Sequence, residues 1–523
     1  MATTITAAPE PKTDTKVWLA VIGSIIGAFI AVLNIQITNA SLPDIQGAIG
    51  AGMDDGGWIS TSYLVAEIVV IPLTGFLTPV FSLRRYLLAN TVMFLVMSVA
   101  CAFATNLEQM IALRALQGFF GGVLIPLAFT ITLTLLPRSK QPIGLAMFAL
   151  SATFAPAIGP TIGGYLTQTY SWHYIFYVNL VPGAIMLATL LPSLPRASMQ
   201  LSLLRQGDWP GIATMAIGLA SLQTALEEGN KDDWFGSPFI VRLSLVAVVA
   251  LALFFWIELT TARPLLNLRL LRRRNFGLGS VANVILGMAL YGSVYLLPNY
   301  LSQMQGYNSQ QVGEVLAWTG LPQLVLIPFV PRLMQRFDAR LLVAVGLGLF
   351  AASCFMNIEI NPDYSGPQLL WANLVRAVGQ ALVLTPLSVL ATGGIEREQA
   401  ASASAMFNMM RNLGGSVGIA LLETLLTKRE QFHSAIINPS VSVLNEATRR
   451  RLEMMQRYFM NAGTADPATA WHDAVIAVGR AVRAQAYFLA YGDTFFLMGC
   501  ALLLAVVAAV LMRRASGSGA GAH

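Results

Sequence analysis

Apolar runs long enough to cross a bilayer, separated by short polar turns, recur from Val17 almost to the C-terminus. A helix needs about 20 apolar residues to span the hydrocarbon core. Fourteen segments meet that need, at 17–40, 57–81, 86–105, 108–136, 142–167, 173–193, 209–229, 239–260, 276–301, 312–333, 341–360, 368–391, 400–426 and 493–512. The pattern therefore predicts an all-α polytopic membrane protein with fourteen transmembrane helices. One stretch departs from it. Between 427 and 492, VSVLNEATRRRLEMMQRYFMN and WHDAVIAVGRAVRAQAYFLAYGD keep a helical period with mixed charge, which predicts a helical hairpin outside the membrane.

Composition sharpens this picture. With 55% hydrophobic and 11% charged residues and a mean hydropathy of +0.64, the 523-residue chain is too apolar for a soluble multidomain protein. A net charge of +6 raises nucleic acid as a partner, but the basic residues are scattered over short loops, so no nucleic acid is expected. With the N-terminus placed in the cytoplasm, nineteen Lys or Arg fall on cytoplasmic segments, among them Lys12, Arg84, Arg85, Arg138, Lys140, Arg263, Arg336 and Arg514. The short outer loops hold only Lys231 and Arg242, which predicts both termini inside. The polar start, Met1 to Lys16, has no cleavage pattern, so the first helix is expected to be kept. Cys101, Cys354 and Cys500 lie in apolar runs and suggest neither disulfides nor zinc. His433 and His472 have no metal-ligand spacing, and no phosphate loop occurs, so no metal, cofactor or ATP drive is expected.

The two halves echo each other. Ala146-Met147-Phe148 followed by Gly159 matches Ala405-Met406-Phe407 followed by Gly418, 259 residues later. Arg114-Ala115 and Pro126 recur loosely as Arg376-Ala377 and Pro386. The parity of these pairs suits a parallel repeat. It predicts a cytoplasmic tail at 1–16, a six-helix bundle at 17–193, inserted helices 7 and 8 with their linkers at 194–275, a second six-helix bundle at 276–512 that includes the hairpin, and a cytoplasmic tail at 513–523. A substrate cavity should lie near midplane between the bundles.

Several motifs carry a family resemblance. Arg114, Gln117, Gly118 and Gly122 resemble motif B of the major facilitator superfamily, and Gly159-Pro160-x-x-Gly163-Gly164 resembles its antiporter motif C. The run from Trp172 to Gly183 resembles the W-R-W-I-F-x-x-N-x-P-x-G signature of its 14-helix, EmrB/QacA-type drug:proton antiporters, with His173 at the usual Arg. Leu33-Asn34-Ile35-Gln36-Ile37-Thr38-Asn39-Ala40-Ser41-Leu42-Pro43 resembles the helix 1 motif L-D-x-x-I-V-N-V-A-L-P, with Asn34 where the family has its titratable acid. Motif A, G-x-L-A-D-R-x-G-R-R, keeps Gly75, Leu77, Arg84 and Arg85, but Pro79 stands at the Asp and Ser82 at the second Gly.

The resemblance implies the major facilitator fold and alternating-access exchange of substrate for protons, which needs a group that changes charge within the membrane. Asn34 cannot carry a proton, though it can hydrogen-bond a substrate or Arg114. Glu67, about 15 Å down helix 2 from Gly57, is the candidate replacement, either as a coupling acid or as a structural partner of Arg114. A lone arginine in lipid costs at least ~2.5 kcal/mol, so Arg114 should face protein or a watery cavity. The candidate proton-coupling pair is thus Glu67 and Arg114. Candidate cavity residues are Asn34, Gln36, Asn39 and Gln117 in the first half, and Tyr291, Tyr295, Arg376, Asn408 and Arg411 in the second. For the second-half polar residues and the tyrosine stripe, packing between helices is the competing reading. Three arginines would make a cavity favour acidic amphiphiles over cationic dyes. Glu227, Glu228, Asp232 and Asp233 read as a solvated outer rim.

Members of this type work in a two-membrane envelope. The resemblance implies inner-membrane efflux of amphipathic drugs or toxic compounds with a periplasmic membrane-fusion adaptor (EmrA-like) and an outer-membrane channel (TolC-like), the hairpin being the place for adaptor contact. The alternative is export of an endogenous acidic metabolite, a siderophore or fatty acid, with altered ion coupling. An enzyme is not expected, since no nucleophile with base and orienting partner emerges. A ligand-binding sensor without flux is the remaining rival.

Overall fold

The structure is a computed structural model that describes residues 14–52, 55–261, 264–463 and 466–513. Expectations placed on Lys12, Arg263, Arg514 and most of the two tails lie outside these residues. Among the described residues the fold is all helix, with no strand. Eleven helices are long and apolar enough to cross a membrane: α1 (Thr15–Ala40), α2 (Trp58–Phe81), α3 (Leu83–Cys101), α4 (Leu107–Leu135), α5 (Gln141–Thr169), α6 (Tyr174–Ser193), α8 (Pro238–Thr260), α9 (Arg274–Met304), α10 (Gln310–Arg336), α12 (Gly366–Thr392) and α15 (Pro467–Val510). Three more occupy the remaining predicted positions but are shorter or more polar: α7 (Trp209–Glu228), α11 (Ala339–Phe355) and α13 (Ala400–Ile437).

Polar residues at the helix starts satisfy free backbone amides. Asn106 accepts from the Gln109 amide at 2.9 Å at the start of α4, and Asn308 with Gln311 forms a reciprocal capping box before α10. Within the helices, hydroxyls of residues such as Thr38, Thr91 and Thr132 donate to the carbonyl four residues back, so they enter an apolar interior without an unmet donor.

Glycines set the helix spacing. A Cβ on Gly159 would lie 2.4 Å from Gln36 Cβ, and one on Gly163 would lie 2.9 Å from the Ile37 carbonyl oxygen, so α5 is pressed against α1. Gly118 brings α4 against the backbone of α2 at Tyr63. In the second half Gly414 does the same for α13 against α9 at Val284, and Gly287 for α9 against the backbone of Arg411. Small residues permit such approach where lipid gives no hydrophobic drive for helix association.

The halves meet along two seams, α5 against α10 and α12, and α2 and α4 against α13. Phe148 and Phe407, the repeat-related phenylalanines, both pack on Phe129, at ring centroid distances of 5.3 and 5.8 Å. Helix α7 lies on α2 and α13, and α8 packs on α7. Thr61 donates to Glu228 at 2.9 Å and Trp234 Nε1 to Thr424 Oγ1 at 2.9 Å, pinning one end of this pair to α2 and α13.

Two local features differ from a plain apolar-run reading. Helix α4 is interrupted at Gly122–Val123, where a Cβ on Gly122 would lie 2.9 Å from Glu67 Cγ. The predicted ends at 426 and 493 are absent: α13 continues to Ile437, just before Pro439, and α15 starts at Pro467. Hydropathy marks where lipid ends, whereas a helix continues until its backbone ladder is broken. A separate helix, α14 (Glu446–Asn461), leans on α15. The extensions are tied by Asp493, which accepts from Arg429 Nε at 2.6 Å and lies 2.7 Å from His433 Nε2, and by Glu430 with Arg483 at 3.4 Å.

Ser82, in the α2–α3 turn, has φ +66° and ψ 141°, is buried, and its hydroxyl has no hydrogen-bond partner. This is the left-handed side of backbone space, costing a side-chain-bearing residue about 1–3 kcal/mol, and it is the position where related motifs carry glycine. Ser82→Gly should raise stability by about 1 kcal/mol, after the entropy glycine adds to the unfolded chain. An unchanged or lower thermal midpoint in detergent would show that the turn is not strained.

Candidate functional site

Arg114 lies on α4 and is 1% exposed. Its Nη1 donates to Asn34 Oδ1 at 2.6 Å and to Gln117 Oε1 at 2.7 Å, and its Nε to the Ile59 carbonyl at 3.3 Å. The Tyr63 ring covers the guanidinium 4.3 Å away. Each of these contacts is to a neutral group, and among the described residues no ion pair joins Arg114 to Glu67. The hydrogen bond from Arg114 to Asn34 is the one the helix 1 motif made available. Asn34 and Gln117 serve this arginine and line neither of the two pockets described below.

Glu67 is 3% exposed on α2. Its Oε1 accepts from Asn412 Nδ2 of α13 at 3.3 Å, while Oε2 has no hydrogen-bond partner. The carboxylate reaches across the seam between halves, to α13. Asn412 also accepts from the Tyr291 hydroxyl at 3.3 Å. One amide thereby links α2, α9 and α13.

Two pockets flank Tyr291, which lines both. The first is lined by Arg376, Arg411, Gln380 and Thr319 with Ser293, Thr153 and apolar residues of α5, α9 and α10, and by no carboxylate. Arg376 Nη2 donates to Thr319 Oγ1 at 2.5 Å, and its Nε has no partner. Arg411 Nη2 donates to Asn408 Oδ1 at 3.1 Å, and its guanidinium lies 5.6 Å from the Phe148 ring. The second pocket is lined by Glu67, Gln36, Asn39, Gln223, Glu227, Asn412 and Ser416 among apolar residues. It contains no basic side chain.

The remaining candidates are placed as follows. Gln36 and Asn39 line the second pocket, where Asn39 Oδ1 also accepts from Ser60 at 2.6 Å. Asn408 is fully buried, donates to the Ser404 carbonyl at 2.9 Å and supports Arg411 without lining a pocket. Tyr295 lines neither pocket and packs against the apolar core. Gly159, Pro160, Gly163 and Gly164 are all buried in α5.

The solvated-rim reading of Glu227 and Glu228 is corrected. Glu228 is 4% exposed, held by Thr61 and by Lys231 at 3.2 Å, and Glu227 is half-buried on the second pocket. The signal was Gln223, one helical turn earlier, which hydrogen-bonds Glu227 at 2.8 Å and turns that face of α7 inward.

Close contacts bridge the seam on either side of these pockets. At the basic end, Ser404 donates to the Pro126 carbonyl at 2.8 Å, and Ser402 accepts from the Asn267 amide at 3.2 Å. At the opposite end, a Cβ on Gly313 would lie 2.2 Å from Thr161 Oγ1, and one on Gly320 would lie 2.7 Å from the Ala157 Cβ.

Comparison with known proteins matches this arrangement. The sequence profile of the Major Facilitator Superfamily fits residues 24–419. The chain is 34% identical to the colistin resistance protein EmrB of Acinetobacter baumannii, over 95% of this chain and 96% of that one. It is 30% identical to the multidrug export protein EmrB of Escherichia coli K12, over 98% and 99%. Among solved structures, the proton:xylose symporter XylE superposes with a TM-score of 0.60 at 12% identity, covering 95% of each chain. These relatives are transporters and not enzymes, and a multi-pass membrane protein with this helix set and these matches has one assignment: the chain belongs to the major facilitator superfamily, alongside its EmrB-type members.

Proposed function

We propose that the protein exports amphipathic compounds by alternating access, in exchange for protons carried by Glu67. The observation that carries this reading is the pair of pockets on the seam between halves, one lined by two arginines and the other by carboxylates that include Glu67, with Tyr291 lining both. A buried carboxylate oxygen without a donor is costly in a membrane interior unless it has a task. Protonation and deprotonation of Glu67 alter its hold on Asn412 and so the closure of α2 on α13. Arg114 keeps α1, α2 and α4 in register around it. Alternation would rock the unit at 17–193 against the unit at 276–512, with 194–275 beside the seam. Fourteen membrane crossings, both termini in the cytoplasm and residence in the inner membrane complete this proposal. The relatives' names support efflux as the direction: one is a resistance protein and one a multidrug exporter.

The arginine-lined pocket favours substrates with an acidic group, whether toxic amphiphiles or an endogenous acid such as a fatty acid. The outer helices beyond the bilayer are the proposed contact for a periplasmic adaptor and, through it, an outer-membrane channel.

The test is transport in proteoliposomes under an imposed pH gradient, with a fluorescent fatty acid and a quaternary ammonium dye as parallel probes. Gradient-driven movement of the acidic probe, and less of the cationic one, is the expected result. Binding of both without flux in either would leave a sensor in place of a transporter.

A further inference from the structure

Glu227 is the acidic side chain of the second pocket to which the exchange cycle assigns nothing. It belongs to α7, one of the two helices inserted between the halves, yet it lines the same pocket as Glu67. Two acceptors in that space have no donor: Glu67 Oε2 and Gln223 Oε1, on residues 3% and 1% exposed. Two carboxylates, two unmet acceptors and no basic lining residue call for positive charge and hydrogen-bond donors from outside the chain. A proton on each carboxylate supplies both.

We propose that Glu227 is a second proton-carrying carboxylate of the transport cycle, brought by α7 to the pocket of Glu67. This rests on the reading of Glu67 as the coupling acid. The charged groups around the pair differ. Arg411 on α13 and Arg114 on α4 are the basic groups near Glu67. Glu227 has the carboxylates of Glu228 on its own helix and Glu423 on α13 nearby, and Lys231 is engaged with Glu228. Glu227 is one residue from the end of α7, so protons enter at the α7–α8 turn, on Glu227, and pass inward to Glu67. Each transfer forms one O–H bond and breaks one, and the proton leaves from Glu67 to the other side when the seam opens there. The inserted helix pair is in this view a proton entry built onto the side of the fold.

The experiment is the pH-difference infrared spectrum of the full-length protein in liposomes, read at the protonated carboxyl stretch, for the wild type, Glu67→Gln, Glu227→Gln and Glu227→Asp. Glu67→Gln and Glu227→Gln should each remove a distinct component of the protonated carboxyl signal. Glu227→Asp should restore a component at shifted frequency, which separates loss of the proton site from damage to the fold. A Glu227→Gln spectrum identical to wild type would overturn the proposal while leaving Glu67 in place. An unchanged Glu67→Gln spectrum would instead remove the coupling role of Glu67.

Discussion

Replacing Glu67 by glutamine should abolish gradient-driven transport while leaving the protein folded and able to exchange bound for free probe. The substitution is nearly isosteric. Its amide oxygen can still accept from Asn412, now 3.3 Å from Oε1, so the α2–α13 contact keeps its shape. What is lost is the change of charge. If the proton acts only by altering the hold of Glu67 on Asn412 and α13, the variant behaves as a permanently protonated carrier. The expected loss of pH-driven flux is on the order of 100-fold, the upper range of coupling energies of about 1–3 kcal/mol. Counterflow, which needs no proton movement, should stay within a few-fold of wild type. Gradient-driven transport that persists in Glu67→Gln would move the coupling site elsewhere. Counterflow falling in parallel would make Glu67 a structural residue.

The same chemical change at two glycines should have opposite signs. Gly118→Ala puts a methyl group 2.3 Å from the Tyr63 carbonyl oxygen and 2.9 Å from two more backbone atoms of α2. Backbone cannot swing aside as a long side chain does, so α4 and α2 must separate. The cost should be about 1–3 kcal/mol from overpacking, and Arg114 moves away from the Ile59 carbonyl with the helix that carries it. Gly348 lies within α11, where an added methyl group would meet nothing within 4 Å. Gly348→Ala should stabilise by about 0.5–1 kcal/mol through helix propensity alone. Thermal unfolding of the two variants side by side checks the pair. Equal midpoints would mean that the α2–α4 crossing yields freely.

Much of the fold was legible because lipid imposes length and polarity on each helix, and the repeat at Ala146 and Ala405 tied the halves together. Motif glycines likewise announced close crossings, since bare backbone on a helix face has few other uses. The partner of Arg114 was narrowed but left open: Asn34 and Glu67 were both within plausible reach, and the structure pairs it with Asn34. Glu227 was misjudged for a physical reason. Its neighbours in sequence, Glu228, Asp232 and Asp233, make the segment look wet, while its burial comes from α2 and α13, 160 and almost 200 residues away. Pocket membership of Tyr291 but not Tyr295, one turn apart on α9, is likewise decided by the facing helix. Periodicity cannot supply that.

Helix α13 is an uninterrupted rod of 38 residues, about 57 Å long. It starts at the basic end, passes Arg411 and Asn412 at the pockets, and ends beside α14 and α15. From Asn412 to its tip is about 38 Å, so a pivot of about 5° at the pockets carries the tip about 3 Å. The rod is thus a pointer. Whatever grips α14 and α15 senses which way the seam is leaning, and distance labels on that tip would read out the state of a carboxylate buried far from it.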